Sequence, residues 1–370
     1  MKDDELRGIL YLITLIHSKK HSPALQQGFI LVAVLVLLTV LTVGAALFAL
    51  WVERRLTVAF DNQKQRQLAL DVLSSRNALL YLFSTHPMHP QGLLFKETGA
   101  RSASALSSDP ADVALIRLDD RPYQGYGDCV FSIQDEAGLS TVNFFVRYRL
   151  STLLGILKVP YADRGPLMAK LLDYQDGNDL LHLHGAERKQ YVDAGLPSPP
   201  NRQLFNPWET AAVYDWPAHL SIPQLARMTT VSNAGAINVN TATAETIQAL
   251  PGLTLADANN ILRFREQYPI TGIRQLELIL GKRMDHLDME IMFIPSLAQR
   301  LTFWDAARHR AKELHILLTP FSEHGSPWII DTPVTFSTAS FTGKQFGPGT
   351  DNHAEKLPFF QKKILSDKPN

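Results

Sequence analysis

GFILVAVLVLLTVLTVGAALFALWV, residues 28–52, decides the fold. No Asp, Glu, Lys or Arg lies between Lys20 and Glu53, and about twenty apolar residues suffice for a helix to span a bilayer. A cleaved secretory signal has a shorter apolar core with a small-residue site after it. Here Gly44-Ala45-Ala46 is followed by further apolar residues, so that reading fails. An ordinary signal anchor stays open. Past Trp51 the apolar residues thin to Leu56, Phe60, Leu68, Leu70, Leu73, Leu79, Leu80 and Leu82, which mostly keep helical spacing. Pro87 and Pro90 stop the pattern. One long helix is therefore expected over 29–87, transmembrane at first and then amphipathic, with residues 1–28 in front of it.

The rest of the composition narrows the function. The chain of 370 residues balances 36 basic against 36 acidic groups, whereas a dedicated nucleic-acid binder shows a basic bias. Cys129 is the single cysteine, so no intrachain disulfide can form. Lys2, Arg7, Lys19 and Lys20 precede the span and Arg54, Arg55, Lys64 and Arg66 follow it. Counted by the positive-inside rule, the flanks are even and leave the topology open. No Walker loop, Gly-X-Ser-X-Gly, His-Glu-X-X-His or paired-cysteine pattern occurs, and the chain is not read as an enzyme.

Beyond Pro90 the period changes. VALIRL (113–118), CVFSIQD (129–135) and STVNFFVRY (140–148) are β-rich runs, separated by the turn chemistry of Asp119-Asp120-Arg121-Pro122, Gly125-Tyr126-Gly127-Asp128 and Glu136-Ala137-Gly138. Helical spacing returns over 151–157, 164–174, 206–214, 221–227, 243–250, 255–267 and 273–280. Strands follow at 313–321, 327–331 and 334–341. The expected class is α+β. A long N-terminal helix packs on a small antiparallel sheet whose first part (88–150) pairs with its second (286–341), with an all-α domain inserted over 151–285. The polar tail, 342–370, is expected to lack fixed structure.

Within the insertion, INVNTATAETIQALPGLTLADANN (237–260) opens two helices on either side of Pro251-Gly252-Leu253. Gly252 can take a positive φ, and Thr254 suits an N-cap. This stretch, with helices at 243–267, resembles the helix-hairpin-helix motif. DNA-binding members carry a second glycine where this chain has Thr254, and the nearby Arg263 and Arg265 are offset by Glu245, Asp257 and Glu266. A structural hairpin is the expected reading and nucleic acid is disfavoured as a partner.

Gly28 followed by Phe29 and an unbroken apolar helix is similar to the start of a type IV pilin-like precursor. That resemblance implies cleavage between Gly28 and Phe29 by prepilin peptidase and methylation of the new terminus. Together with the hairpin, the chain resembles the large minor pseudopilin of type II secretion, the general secretion pathway protein K family. Asp135-Glu136-Ala137-Gly138 with Val142-Asn143, Leu171-Leu172-Asp173 with Asp176, Asn178 and Asp179, and Tyr191, Ala194-Gly195, Pro199-Pro200-Asn201 and Glu209 also match, over roughly residues 26–285. The long leader and Tyr174-Gln175, where the family has Trp, depart from it. The resemblance implies a single-pass protein of the bacterial inner membrane with a periplasmic head. Its partners would be other minor pseudopilins, the major pseudopilin, prepilin peptidase and membrane lipid. A minor pilin of a type IV pilus and an anchored DNA-uptake protein stay as alternatives. Pilins usually carry Glu at mature position five, and a carboxylate in a bilayer must be paired. That position is Ala33 here, which suits a subunit that caps the filament tip rather than one that joins above a neighbour.

Asp173, Asp176, Asn178 and Asp179 crowd hard oxygen donors into seven residues, a composition that suits calcium. Glu187 and Asp193 are further candidates, and an exposed acidic helix end is the alternative. His182 and His184 would face one side of a strand, but without a third ligand in reach they read as surface or packing histidines.

Overall fold

The computed structural model describes residues 27–96, 113–143, 145–232, 235–284, 287, 289–305, 310–320, 322, 325–331, 333–338 and 354–361. It divides into two compact units, up to Gln67 and from Leu68 onward.

The first unit holds the apolar run of the long helix Gln27–Thr85 and its more polar turns as far as Gln67. Its side chains are open all round: Leu31 is 73% exposed, Leu35 62% and Leu47 62%. Among the described residues this is the one helix long and apolar enough to cross a membrane, with a mean hydropathy of 2.9 over its best window. Such a helix, apolar on every face, needs a solvent other than water. Trp51 closes the apolar run, with Phe48 stacked 6.0 Å away and the Arg55 guanidinium 5.3 Å from its ring centroid. An aromatic ring next to arginine is the pairing favoured at a membrane–water boundary. Gly28 and Phe29 lie in the first turn of the helix, and Ala33 is exposed one turn further on. The leader before residue 27 lies outside the described residues.

In the second unit the end of the helix turns amphipathic. Leu79, Leu80, Leu82 and Phe83 are buried against Ile116, Leu118, Phe131, Ile133, Leu301, Phe303, Leu314 and Ile316. Two polar groups fix the helix on the sheet. Ser75 Oγ accepts the Tyr126 N–H at 2.9 Å, and Asp71 Oδ2 accepts the Asp128 N–H at 3.4 Å. Gly127 lies between them at φ +56°, and a Cβ there would meet Asp71 Oδ2 at 2.2 Å, so glycine is required.

The main sheet runs, edge to edge, Trp328–Ile330, Arg310–Leu318, Ala298–Asp305, Val130–Asp135, Asp119–Gln124 and Glu355–Lys356, with Val334–Ser337 also paired to Arg310–Leu318. Every pairing is antiparallel except the last, Glu355 against Tyr123. Central neighbours 130–135 and 298–305 pair directly, Ile133 opposite Leu301, and the intervening chain forms the helical insertion. A separate three-stranded antiparallel sheet holds Met88–His89, Gly92–Lys96 and Val113–Arg117.

Several expectations needed correction. Residues 140–148 are not a strand. Ser140–Thr141 make only a parallel bridge to Thr229–Thr230, and a helix begins at Arg147. The apolar residues there serve a helical core, with Val142, Leu150, Leu153 and Leu154 packed around Trp216 and Tyr191. Asp119-Asp120-Arg121-Pro122, read as a turn, belongs to strand Asp119–Gln124, with a register shift between Asp119 and Pro122. Proline is tolerated at such an irregularity, and the charges neutralise one another, Asp119 pairing with Arg117 at 3.1 Å and Arg121 at 2.9 Å. Strand Ala298–Asp305 was not expected at all. Part of the polar tail is also ordered: Glu355–Lys356 extends the sheet, and Leu357 and Phe360 enter its core, Phe360 packing on Tyr126 and Phe131.

The insertion has two apolar clusters, one around Leu153, Leu171, Tyr191 and Trp216, and one in the hairpin region around Ile237, Ile247, Leu250, Leu253, Ile261 and Leu276. Its helices Tyr161–Gln175, Ile222–Met228, Leu255–Arg265 and Ile273–Leu280 fall within a few residues of the spacing seen in the sequence.

Candidate metal centre, hairpin and domain joint

Helix Tyr161–Gln175 buries one face, and Asp173 on that face is fully buried. The helix ends at Asp176, whose N–H closes onto the Leu172 carbonyl at 2.9 Å. The chain then turns back over its own last turn. Asp173 Oδ1 accepts the His182 N–H at 3.2 Å and also contacts His182 Nδ1. That same Nδ1 lies 3.8 Å from Asp176 Oδ2. His184 takes φ +65° to make the turn, and Gly185 passes so close that a Cβ would meet Asp173 Oδ2 at 1.9 Å. One ligand atom each from Asp173, Asp176 and His182 thus fall within 4.8 Å of one another.

Three oxygens beside this group have no donor. They are Asp173 Oδ2 and both oxygens of Glu187, which is only 4% exposed. Glu187 caps the helix Arg188–Asp193, and its own N–H donates to Gln190 Oε1 at 3.0 Å. Its carboxylate faces the free amide of Gln190 in the manner of a capping box, but neither oxygen reaches hydrogen-bond geometry. Burial, and then the negative charges of Asp173, Asp176 and Asp179, push the Glu187 carboxyl up to about 7. Buried carboxylates without donors are costly, and a bound cation is one way to satisfy them.

The other two expected ligands make hydrogen bonds of their own. Asn178 Oδ1 accepts the Leu180 N–H at 2.8 Å within the turn, and Asp179 Oδ1 accepts from Asn201 Nδ2 at 3.0 Å, tying the turn to the loop at 201. His182, expected only to pack or face solvent, takes their place beside Asp173 and Asp176. Calcium takes six to eight oxygens. The converging set here is two carboxylates and one imidazole nitrogen, which does not match that preference. His184 and Asp193 are exposed and stand outside the group.

At the hairpin, Gly252 has φ +72° and Leu253 is buried. Thr254 caps Leu255–Arg265, its Oγ1 accepting the Asp257 N–H at 3.2 Å while Asp257 Oδ2 accepts the Thr254 N–H at 2.8 Å. Lys282 Nζ closes the turn with bonds to the Gly252 carbonyl at 2.8 Å and to Asp257 Oδ2 at 2.7 Å. Burial opposes the charged Asp257 carboxyl, but Lys282 and Thr254 overcome it and hold its pKa below the usual range. A phosphate seeking the Thr254 amide would meet the Asp257 carboxylate instead. Arg265 is buried, donating to the Val239 and Ala242 carbonyls at 3.0 and 2.6 Å. Of the two arginines weighed for phosphate contact, Arg263 alone is exposed.

The joint between sheet and insertion is built from Asp135, Glu136, Gly138 and Asn143, whose motif the sequence displays without revealing its role. Asp135 Oδ1 accepts from Ser296 Oγ at 2.7 Å, Ser296 N–H at 3.0 Å and Ala137 N–H at 3.2 Å. Its Oδ2 accepts from Asn238 Nδ2 and Thr241 Oγ1, each at 2.8 Å. Glu136 contacts His315 Nδ1 and accepts from Thr230 Oγ1 at 2.6 Å. His315 Nε2 lies 3.2 Å from Glu313 Oε1, which also accepts from Trp208 Nε1 at 3.2 Å. Burial alone would lower the His315 pKa, but its bonds to Glu136 and Glu313 raise it to about 9. Asn143 Nδ2 donates to the Leu204 carbonyl at 2.9 Å, and a Cβ on Gly138 would meet the Thr241 carbonyl at 2.7 Å.

With this geometry established, residues 232–282 match the family model described as "Helix-hairpin-helix motif". No curated protein matches the chain. Among solved structures, the chain is similar to one in "The Crystal Structure of the GspK-GspI-GspJ complex from enterotoxigenic Escherichia coli Type 2 Secretion System". Identity is 14% and the TM-score 0.48, over 75% of this chain and 98% of that one.

Proposed function

We propose that the chain is a minor pseudopilin of a type II secretion apparatus, placed at the pseudopilus tip, where it starts or caps filament assembly. The observation that carries this reading is a combination. An exposed apolar helix beginning at residue 27 feeds a sheet that is interrupted between Asp135 and Ala298 by a helical insertion containing a matched helix-hairpin-helix. Each part alone is common. The sequence motifs that resemble the family fall at structural joints in this arrangement, as Asp135, Glu136 and Asn143 do.

On this reading the apolar helix lies in the inner membrane and the head in the periplasm. The protein acts through contacts with other minor pseudopilins and the major pseudopilin, without turnover. Prepilin peptidase cuts before Phe29. Ala33 offers no carboxylate to a neighbour's amino terminus, which suits the first subunit of a filament. The hairpin is structural, its polar groups being taken up by Asp257 and Lys282.

The experiment is deletion and complementation in the native bacterium, scoring exported enzymes in the medium and DNA uptake side by side. Loss of export with normal DNA uptake is expected. Normal export with lost transformation would transfer the chain to the DNA-uptake class.

A further inference from the structure

We propose that the pocket between the three-stranded sheet, the end of the hairpin helix Leu255–Arg265 and the tail strand Glu355–Lys356 binds a monoanionic carboxylate. Arg117 and Lys356 would hold the carboxylate, and its apolar body would lie against Leu115 and Leu357. The inference is independent of the secretion reading, since it rests on space and charge within the head alone.

Space is the first support. The pocket holds about 410 Å³, within the range of small-molecule sites, about 300–1,000 Å³. Strand residues Arg117 and Arg121, Glu266 at the helix end and Lys356 from the tail line it, and Leu115 and Leu357 add apolar surface.

Unpaired positive charge is the second support. Three guanidiniums, of Arg117, Arg121 and Arg265, meet two carboxylates, of Asp119 and Glu266. Arg117 Nε donates to Asp119 Oδ2 at 3.1 Å and its Nη1 to the Arg265 carbonyl at 3.0 Å. Its Nη2 is buried without an acceptor, as is Arg265 Nε. Both side chains are more than nine-tenths buried, Arg117 at 7% and Arg265 at 6% exposure. Burial, and the like charge of Arg117, bring the Arg265 guanidinium down to about 10 despite Asp119. A buried donor without an acceptor is costly. Along the pocket wall itself, Arg117, Arg121 and Lys356 again outnumber Glu266 and Glu355 by one charge.

The size of that excess chooses the ligand. Guanidinium donors fit carboxylate and phosphate alike. One surplus positive charge is balanced by a carboxylate, whereas a phosphate near −2 would overshoot beside Glu266 and Glu355. Leu115 and Leu357 then favour a carbon body on the acid. Glu266, 52% exposed, bonds Arg121 at 2.9 Å and lies 3.6 Å from Arg117 Nη1. It is the group with which an incoming carboxylate competes, and its swing into solvent opens the way to Arg117 Nη2.

The full-length chain in detergent is titrated with N-acetyl-leucine and, separately, with N-acetyl-leucinamide, and binding is read by ligand-observed saturation-transfer NMR. The acid is expected to bind with a dissociation constant of about 1 mM, the scale for a ligand of this size, and the amide not to bind. R117K keeps the charge but loses the unpaired Nη2, and should weaken binding of the acid by at least about tenfold. K356Q and E266Q alter exposed groups, so they decide the matter if R117K does not fold. K356Q should weaken binding and E266Q tighten it, each by about two- to fivefold. Acetyl-Ala-Ala-Leu distinguishes the source of the carboxylate. Binding of this peptide acid as well assigns the pocket to chain termini, and binding of N-acetyl-leucine alone assigns it to free acids. Equal binding of acid and amide, or affinity indifferent to the three variants, would overturn the proposal. So would no binding of either compound, which would leave the Arg117 donor to a buried water only.

Discussion

Replacing Asp135 with Asn tests whether the sheet and its insertion are locked by one buried carboxylate. Five donors converge on Asp135 at 2.7–3.2 Å. An amide offers one acceptor oxygen. That oxygen stays with Ala137 and Ser296, whose N–H groups are fixed by the backbone. The new NH₂ then faces Asn238 Nδ2 and the Thr241 hydroxyl. Thr241 can turn to the Asn238 carbonyl, 3.4 Å away. Asn238 cannot flip without giving up the Asn240 N–H, which its Oδ1 accepts at 3.1 Å. Two buried donors are left facing each other, at about 1–3 kcal/mol apiece. Burial raises the Asp135 pKa against the pull of its donors, so removing the charge returns part of that loss. The net expectation is a destabilisation of about 3 kcal/mol at pH 7. Urea unfolding of the detergent-solubilised chain reads it through Trp208, Trp216, Trp304 and Trp328, all in the unit beginning at Leu68. D193N, on an exposed site, serves as control. A D135N effect no larger than a neutral surface change, about 0.5 kcal/mol, would refute the lock.

His315 gives a pH signature. Its folded pKa of about 9 lies above the ordinary 6.5, so its stabilisation is complete below 6.5 and fades as pH rises through 9. H315Q should flatten that alkaline loss of stability, and an unchanged slope would count against the Glu136–His315 pair. Asp257 acts in the opposite direction. Its folded pKa is depressed, so its contribution is present above its unfolded value and disappears as pH falls. D257A should lower stability by roughly 1 kcal/mol at pH 7 for the lost cap, measured by thermal unfolding, with the gap from wild type closing in acid. Phe360→Ala should cost about 3 kcal/mol as a buried-ring deletion. A loss below ~1 kcal/mol in the same urea assay would mean that the tail is not part of the core.

Much of this fold is legible because its signals are local. An uncharged apolar run, leucines at helical spacing and Pro87 mark the long helix. Pro251-Gly252 and a threonine cap mark the hairpin. Signals that depend on distant partners were missed. Arg300 makes 298–305 look like an exposed segment, yet its guanidinium is buried against the Ala226 and Thr229 carbonyls. Asp119-Asp120-Arg121-Pro122 reads as a turn until the ion pairs to Arg117 and Arg121 are known. The tail reads as polar because Leu357 and Phe360 are isolated among charges, although both are buried. At the candidate metal centre the acidic residues were visible but the choice among them was not. Spacing suggested Asn178 and Asp179, whereas the return of the loop over its own helix substitutes His182. Gly185 was the available clue, a glycine just past a buried aspartate where the chain must approach closely.

On the proposed function, the helix beginning near residue 27 is a processed pilin-like segment. Its most direct test is the mass and terminal sequence of the chain isolated from membranes with and without active prepilin peptidase. An N-methylated Phe29 start is expected only when the peptidase is active, with Ala33 as the fifth residue. A chain of the same length in both samples, still carrying the residues before Phe29, would contradict it and leave an ordinary signal-anchored protein.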